Sequence, residues 1–488
     1  MKKPEHNVFP FLMMLSFFIL AATVIFFFTD GRASSSDYSE EYVPSTMKRV
    51  HDPVQVPGKL LSELHGTKFK NLRLFAFKDS AMVPVVYQFD ERTPDGSFIM
   101  DMGEGKNPKA HNSTLDGRDF LVFRICDSGG RAPHSAWKNE DGIEIELIDP
   151  VDRGKSYVYL FRFPGKAPAR LKKDTVSLEH WDPWKNPSWP FIVEGLSYRI
   201  KGLVNRINGK YYKTAINKEF RVPKSAGGTN VNILDGQRMR AFCEFKFGIY
   251  RVEADETNMI GGIDSLRHGP VRGYGRQWMT KALPLGIKGP RIYSDVFTYD
   301  RLIVSPMQLN IPVNPDMIIN KAGIEFGYDF NKKAYGMRFY SPNCMDGVTI
   351  DGRMNEREKN LPDTYVPWFL VTGPQGSLIF RVSIDPKLLE QTENKLTYID
   401  DLDRAFPPED VPGSIGYART TIEMTSVKPG RYKFQIEWYF PPDFYKPGGY
   451  DKEMLDEFLN IKDKPIIIKV DGKKAENRAL NPPPLSVK

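Results

Sequence analysis

Hydrophobic residues occur along most of the chain in short runs that are separated by turn residues. Several runs alternate apolar and polar positions with a period of two, which is the pattern of a strand with one buried face. The breaks between runs contain Asp95-Gly96, Asp116-Gly117 and Asn208-Gly209, dipeptides that favour tight hairpin turns. The pattern therefore predicts an all-β body.

The predicted strands are 4 to 11 residues long and are richest in aromatic and β-branched residues. They are Leu72–Phe77, Val83–Phe89, Asp119–Cys126, Ile143–Leu147, Tyr157–Phe163, Phe191–Ile200, Ala241–Arg251, Ile292–Tyr299, Arg301–Val304, Ile324–Phe330, Tyr335–Tyr340, Trp368–Val371, Ser377–Ile384, Ala418–Met424, Arg431–Tyr439 and Pro465–Val470. Only Tyr450–Ile461 has apolar residues at helical spacing, at Met454, Leu455, Phe458 and Leu459. We expect this helix to lie on the surface, outside the core.

The length of 488 residues is enough for about two or three domains. No repeat of fixed period is present, which argues against a propeller or a solenoid. We expect a large two-part β-sandwich with halves at residues 59–258 and 259–470 and a boundary near Glu253–Leu266. The polar, Ser-rich residues 29–58 predict a flexible tether, and residues 471–488 a C-terminal tail.

The segment Val8–Phe28 carries no charge and, as a helix, would extend roughly 31 Å, enough to cross a membrane. Lys2 and Lys3 precede it and mostly acidic residues follow it, so residues 1–7 are expected to be cytoplasmic. This single-pass signal-anchor would hold the body in the periplasm at the inner (cytoplasmic) membrane, or in an extracellular or luminal space. The alternative is a cleaved signal peptide that ends at Ala33.

The 68 basic and 61 acidic residues are mixed along the chain without a long Lys/Arg run, which argues against nucleic-acid binding. The three cysteines, Cys126, Cys243 and Cys344, can form at most one disulfide. No C-x-x-C or C-x-x-C-H motif is present, so the sequence indicates no covalent haem and no zinc ribbon.

A group of carboxylates lies on neighbouring predicted turns in the first half: Asp90, Glu91, Asp95, Asp116, Asp119 and Asp127. Calcium binds six to eight oxygen ligands from flexible loops, so these residues are candidate calcium ligands. The alternative is that they cap turns and pair with the arginines in the same stretch, and this structural role is the one we expect.

His268, with Arg272 and Arg276, forms a candidate polar site at the start of the second half. A catalytic site would need a His or paired carboxylates in an open cleft. None of the familiar catalytic spacings, including Gly-x-Ser-x-Gly and His-Glu-x-x-His, is present. No catalytic residue is assigned from the sequence.

Two motifs in this region, Gln88-Phe-Asp90-Glu91 and Leu115-Asp-Gly-Arg-Asp119, resemble extracytoplasmic β-supersandwich proteins of the galactose-mutarotase-like kind. In those proteins a Gln-x-Asp-Glu strand leads to a Leu-Asp-x-x-Asp strand, and many of them have no assigned activity. The resemblance covers residues 70–135 and 265–300. The resemblance implies a supersandwich-like fold and suggests carbohydrate as a candidate ligand.

A stiff loop between two predicted strands contains Trp181, Trp184 and Trp189 together with several prolines. Aromatic residues on such a loop can cover their own core, dock a partner protein or stack on sugar rings.

Two functions remain open. The first is a membrane-anchored, extracytoplasmic, non-catalytic subunit that docks other protein subunits through the Trp loop, with a respiratory or electron-transfer assembly as one setting. The second is a carbohydrate-binding or carbohydrate-active protein of the supersandwich type.

Overall fold

The computed structural model describes residues 41–139, 141–179, 191–207, 211–246, 251–255, 258–281, 292–311, 314, 319–407 and 409–484. The predicted anchor Val8–Phe28 and the three tryptophans of the predicted loop lie outside these residues. Within the described ranges, no helix is both long enough and apolar enough to cross a membrane.

The body is mostly β, which confirms that part of the prediction. The first fifteen strands are β1 Pro53–Pro57, β2 Leu72–Lys78, β3 Ala81–Pro84, β4 Tyr87–Asp90, β5 Met102–Gly103, β6 Phe120–Arg124, β7 Gly142–Ile148, β8 Lys155–Arg162, β9 Ser177–Glu179, β10 Phe191–Glu194, β11 Arg199–Ile207, β12 Tyr211–Arg221, β13 Leu234–Phe245, β14 Arg251–Ala254 and β15 Met259–His268.

The strands that follow are β16 Arg272–Lys281, β17 Ile292–Tyr299, β18 Leu302–Ile311, β19 Ile319–Phe330, β20 Arg338–Ser341, β21 Cys344–Thr349, β22 Trp368–Gly373, β23 Gly376–Ile384, β24 Glu393–Asp401, β25 Ser414–Glu423, β26 Gly430–Tyr439, β27 Tyr445–Lys446, β28 Gly449–Tyr450, β29 Ile467–Val470 and β30 Lys473–Glu476. Three α-helices are described: α1 Glu356–Lys359, α2 Pro386–Leu389 and α3 Lys452–Asp463.

The longest sheet has the order β21-β20-β22-β23-β26-β18-β17-β16-β15-β12-β11-β10-β9, with β5 added on β15. A five-stranded sheet, β14-β13-β19-β25-β24, packs on one of its faces. Their shared core contains Phe326 and Tyr328 from β19 and Phe434, Ile436 and Trp438 from β26. The two inner faces interdigitate as in a β-sandwich.

A three-stranded sheet, β1-β6-β4, lies between the long sheet and a six-stranded sheet, β3-β2-β8-β7-β29-β30. The run Phe120-Leu-Val-Phe in β6 explains this layering, because successive side chains of a strand point to opposite faces. Leu121 and Phe123 belong to the core with the six-stranded sheet. Phe120 and Val122 belong to the core with the long sheet.

The segments at both ends of the described chain belong to the body. Residues 41–58, assigned to a flexible tether from sequence, include the buried strand β1. The Asn477 side chain, from the predicted tail, accepts from the Gln55 backbone N–H at 3.0 Å and donates to the Pro53 carbonyl at 2.7 Å. The polar composition of these segments led to their prediction as a tether and a tail. Hydrogen bonds between the two segments hold both against the core.

The predicted division into halves stays a prediction, and several strand pairs cross residue 258. Strand β7 pairs with β29, β12 with β15 and β13 with β19, all antiparallel. The assignment to the supersandwich type also stays a prediction.

The predicted helix is confirmed as α3, but its assignment to the surface alone was wrong. Leu455, Phe458 and Ile461 are buried in the core that covers the long sheet. The predicted strand Phe191–Ile200 is two strands, β10 and β11, because a turn separates them. The three cysteines are free.

His51 is a buried histidine whose protonation state affects stability. Its ring stacks on Phe458 at 4.8 Å, and burial together with nearby Arg301 lowers its pKa to about 3. The folded protein therefore favours the neutral ring. The contribution of the neutral His51 ring to the free energy of unfolding is fully present above pH 6.5, the ordinary pKa of histidine. It is lost as the pH falls from 6.5 toward 3.

The variant His51→Phe keeps a stacked ring that cannot be protonated. As the pH falls below 6, the free energy of unfolding of the unsubstituted protein should decrease by about 1.4 kcal/mol per pH unit more than that of the variant. Urea unfolding at stepped pH values measures both slopes. Parallel slopes would show that His51 is not the group responsible.

Candidate functional site

Asp90 and Arg272, two of the candidate site residues, form an ion pair with no exposure to solvent. The Arg272 Nε donates to Asp90 Oδ2 at 2.7 Å, and its Nη1 donates to the Tyr299 hydroxyl at 2.6 Å. Burial alone lowers the pKa of Arg272, but the Asp90 carboxylate and Tyr299 more than offset this, so the net shift is upward. Arg272 is therefore a permanent buried cation.

Gln88 completes this network. Its Oε1 accepts from the backbone N–H groups of Val271 and Arg272, both at 2.9 Å, and its Nε2 donates to Asp90 Oδ1 at 2.6 Å. A Cβ at Gly269 would collide with the Gln88 side chain, so glycine is needed at that position. These contacts join β4 to β16, and the side chains that make them are buried.

The other candidate calcium ligands are held by donors of the chain itself. Asp116 pairs with Arg118, and Asp127 with Arg124 at 2.8 Å. Asp95 accepts from Thr93 and Ser97 within its own turn.

Asp119, another of these carboxylates, caps backbone N–H groups, and its burial raises its pKa to about 6. Within the described residues, no group of three or more His, Cys, Asp or Glu side chains is arranged to hold a metal ion.

The candidate polar site is not one site. His268 Nε2 lies 2.9 Å from the Val176 carbonyl, and Arg276 donates to Asp295 at 2.8 Å. Arg272 faces the buried network instead. The three residues are near in sequence, but they act in separate contacts.

A second cluster, around His111, was not predicted from the sequence. Its Nδ1 lies 2.7 Å from Glu91 Oε2, and its Nε2 lies 3.1 Å from Asp101 Oδ1. Glu91 also accepts from the backbone N–H groups of Asn112 and Ser113. Since Glu91 is buried and fully engaged, the cluster fastens the loop that carries His111 to the end of β4.

An open groove of about 480 Å³ lies at the start of β2 and the end of β8. Its lining is polar and consists of His65, Gly66, Thr67, Lys68, Lys70, Asn71 and Arg162. The antiparallel register that pairs Leu72 with Arg162 brings these two segments together.

Backbone hydrogen bonds shape one wall of the groove. The N–H of Gly66 donates to Leu115 and that of Phe69 to Ser113, and Gly66 has a φ of +79°, which favours glycine. The Phe163 N–H donates to the Asn71 carbonyl at 2.8 Å and closes the other side. The backbone is thus fixed, while the side chains of Lys68 and Lys70 remain exposed.

The strap, residues 163–174, runs on from β8 beside the groove. Arg170 donates to the Phe69 carbonyl and Arg73 to the Pro168 carbonyl, each at 2.5 Å. The Arg170 guanidinium also lies 5.0 Å from the centroid of the Tyr87 ring. Two arginines therefore dock the strap, and its lysines, Lys166, Lys172 and Lys173, are exposed.

The Asp90–Arg272 pair generates a stability prediction. Arg272→Met leaves Asp90 buried without its cation, which should cost about 3–5 kcal/mol of unfolding free energy. Arg118→Met breaks a pair whose arginine side chain is 44% exposed, and should cost about 1 kcal/mol or less. Denaturant unfolding of both variants measures the difference, and equal costs would contradict the account.

The sequence matches no described protein family, and no curated protein is similar to it in sequence. Among solved structures, it is similar to an alpha-mannosidase from Enterococcus faecalis V583, with a TM-score of 0.42 and 11% identity over 94% of this chain and 49% of that one. A 4-alpha-glucanotransferase from Thermococcus litoralis is similar with a TM-score of 0.29 and 10% identity, over 55% and 42% of the two chains. This chain spans about half the length of the alpha-mannosidase. At these TM-scores neither similarity bears on its activity.

Proposed function

We propose that this protein binds carbohydrate in the groove between residues 65–71 and Arg162. The observation that carries the proposal is an open, polar recess on a backbone that is already fixed by hydrogen bonds. Its volume lies within the range of roughly 300–1,000 Å³ that is usual for small-ligand sites.

The groove offers the donors and acceptors that sugar hydroxyl groups require. The Asn71 side chain provides both, and among the described residues none forms a hydrogen bond with that side chain. The ammonium groups of Lys68 and Lys70 donate only. A preformed wall limits the ordering cost of binding, which favours affinity for a flexible ligand.

The docking-subunit hypothesis has no support among the described residues. It depends on Trp181, Trp184 and Trp189, which lie outside them. The calcium site likewise has no support in the described part of the chain. We retain the placement of the body outside the cytoplasm, on the anchor Val8–Phe28, as part of the proposal.

The groove predicts a specific loss of glycan binding. Full-length protein, purified in detergent, should be retained by a set of immobilised glycans. Asn71→Ala should weaken retention by about two- to tenfold, because a neutral hydrogen bond is worth roughly 0.5–1.5 kcal/mol. The matched control is Asn310→Ala, at an exposed position on β18.

Both variants should keep the melting temperature of the parent, because neither position contributes to a core. Equal weakening by both variants, or no glycan retained by the parent protein, would refute the proposed function.

A further inference from the structure

We infer that the ligand of the groove is an anionic saccharide, a polymer that carries carboxylate groups along its length. This inference rests on the proposed function and adds the charge and extent of the ligand. It follows from how basic side chains are distributed around the groove.

The two segments that form the groove and its strap lack acidic residues. Residues 65–73 contain Lys68, Lys70 and Arg73, with no Asp or Glu. Residues 162–173 contain Arg162, Lys166, Arg170, Lys172 and Lys173, again without Asp or Glu, and Asp174 ends the stretch. In a chain with nearly balanced charges, such a concentration creates a local positive potential.

Most of these cations are not neutralised by the protein. Arg162 pairs with Asp141 at 2.6 Å. Among the described residues, no acidic side chain forms an ion pair with Lys68, Lys70, Lys166, Lys172 or Lys173. These exposed ammonium groups repel one another, and an anionic ligand would relieve that repulsion.

The extent of the site favours a polymer over a single ion. Lys68 and Lys70 line an open recess that can accept a sugar unit. Beyond the recess, the strap carries Lys166, Lys172 and Lys173. The strap ends before Thr175, whose N–H donates to the Pro270 carbonyl at 2.8 Å. A chain of acidic sugars can occupy the recess with one unit and contact the strap with others.

The test compares two polymers with the same backbone. Polygalacturonate carries a carboxylate on each sugar, and its methyl-esterified form does not. We expect the full-length protein in detergent to bind polygalacturonate at least tenfold more tightly, with affinity that falls as salt rises, because salt screens exposed charges.

The double change Lys68→Gln and Lys70→Gln should weaken binding to polygalacturonate by roughly fivefold or more. Each lysine would lose one exposed ion pair with the polymer, and each such pair is worth about two- to fivefold in affinity. The matched control combines Lys332→Gln and Lys333→Gln, which remove the same charge from exposed positions in a short helical turn elsewhere in the chain, Lys332–Ala334. The control should leave binding unchanged, and both proteins should keep the parent's melting temperature.

Three outcomes would overturn the inference. Equal affinity for the esterified polymer would refute the charge requirement and leave carbohydrate binding in place. Equal affinity for polyglutamate would show that the site does not require a sugar. Tighter binding to phosphatidylglycerol vesicles than to polygalacturonate, with loss in the groove variant, would assign the cations to a lipid surface.

Discussion

The ion pair between Asp90 and Arg272 places two full charges in a region without solvent. Removing both from water is costly, so the pair persists only where further hydrogen bonds compensate. Gln88 and Tyr299 supply them, and the Tyr299 hydroxyl donates in turn to the Ala479 carbonyl at 2.9 Å. One network therefore fixes the three-stranded sheet, the long sheet and the C-terminal segment to each other.

This constraint determines how the layers are stacked. With β4 held against β16, the neighbouring strand β6 has a core on each face, and its four consecutive apolar residues fill both. The six-stranded sheet then packs on the outer face of the three-stranded sheet. The pairing of β2 with β8 in that outer sheet brings together the segments that form the groove. The proposed binding site thus lies in the layer farthest from the sandwich that contains β19 and β26.

The sequence pattern predicted most strands and helix α3, because alternation and helical spacing are local signals. It did not predict the ends of the body, where the signal lies in distant hydrogen bonds such as those of Asn477. The Gln88-x-Asp90-Glu91 motif indicates buried structural contacts. Its residues are buried and structural: Asp90 neutralises Arg272, and Glu91 holds the loop of His111.

The groove could not be found from sequence, because its two basic segments are far apart in the chain and neither is a long Lys/Arg run. Only the register between Leu72 and Arg162 makes them neighbours. The absence of acidic residues in the two segments is not distinctive, because residues 195–218 and 265–294 also contain several Lys and Arg and no Asp or Glu.

Hydrogen–deuterium exchange of the full-length protein, with and without oligogalacturonate, would locate the binding surface. If the groove and the strap bind the oligosaccharide, exchange in residues 65–73 and 162–174 will slow when it is bound, with little change elsewhere in the body. Protection confined to other segments, such as the loop around His111, or no protection at a concentration that saturates binding, would contradict binding at the groove.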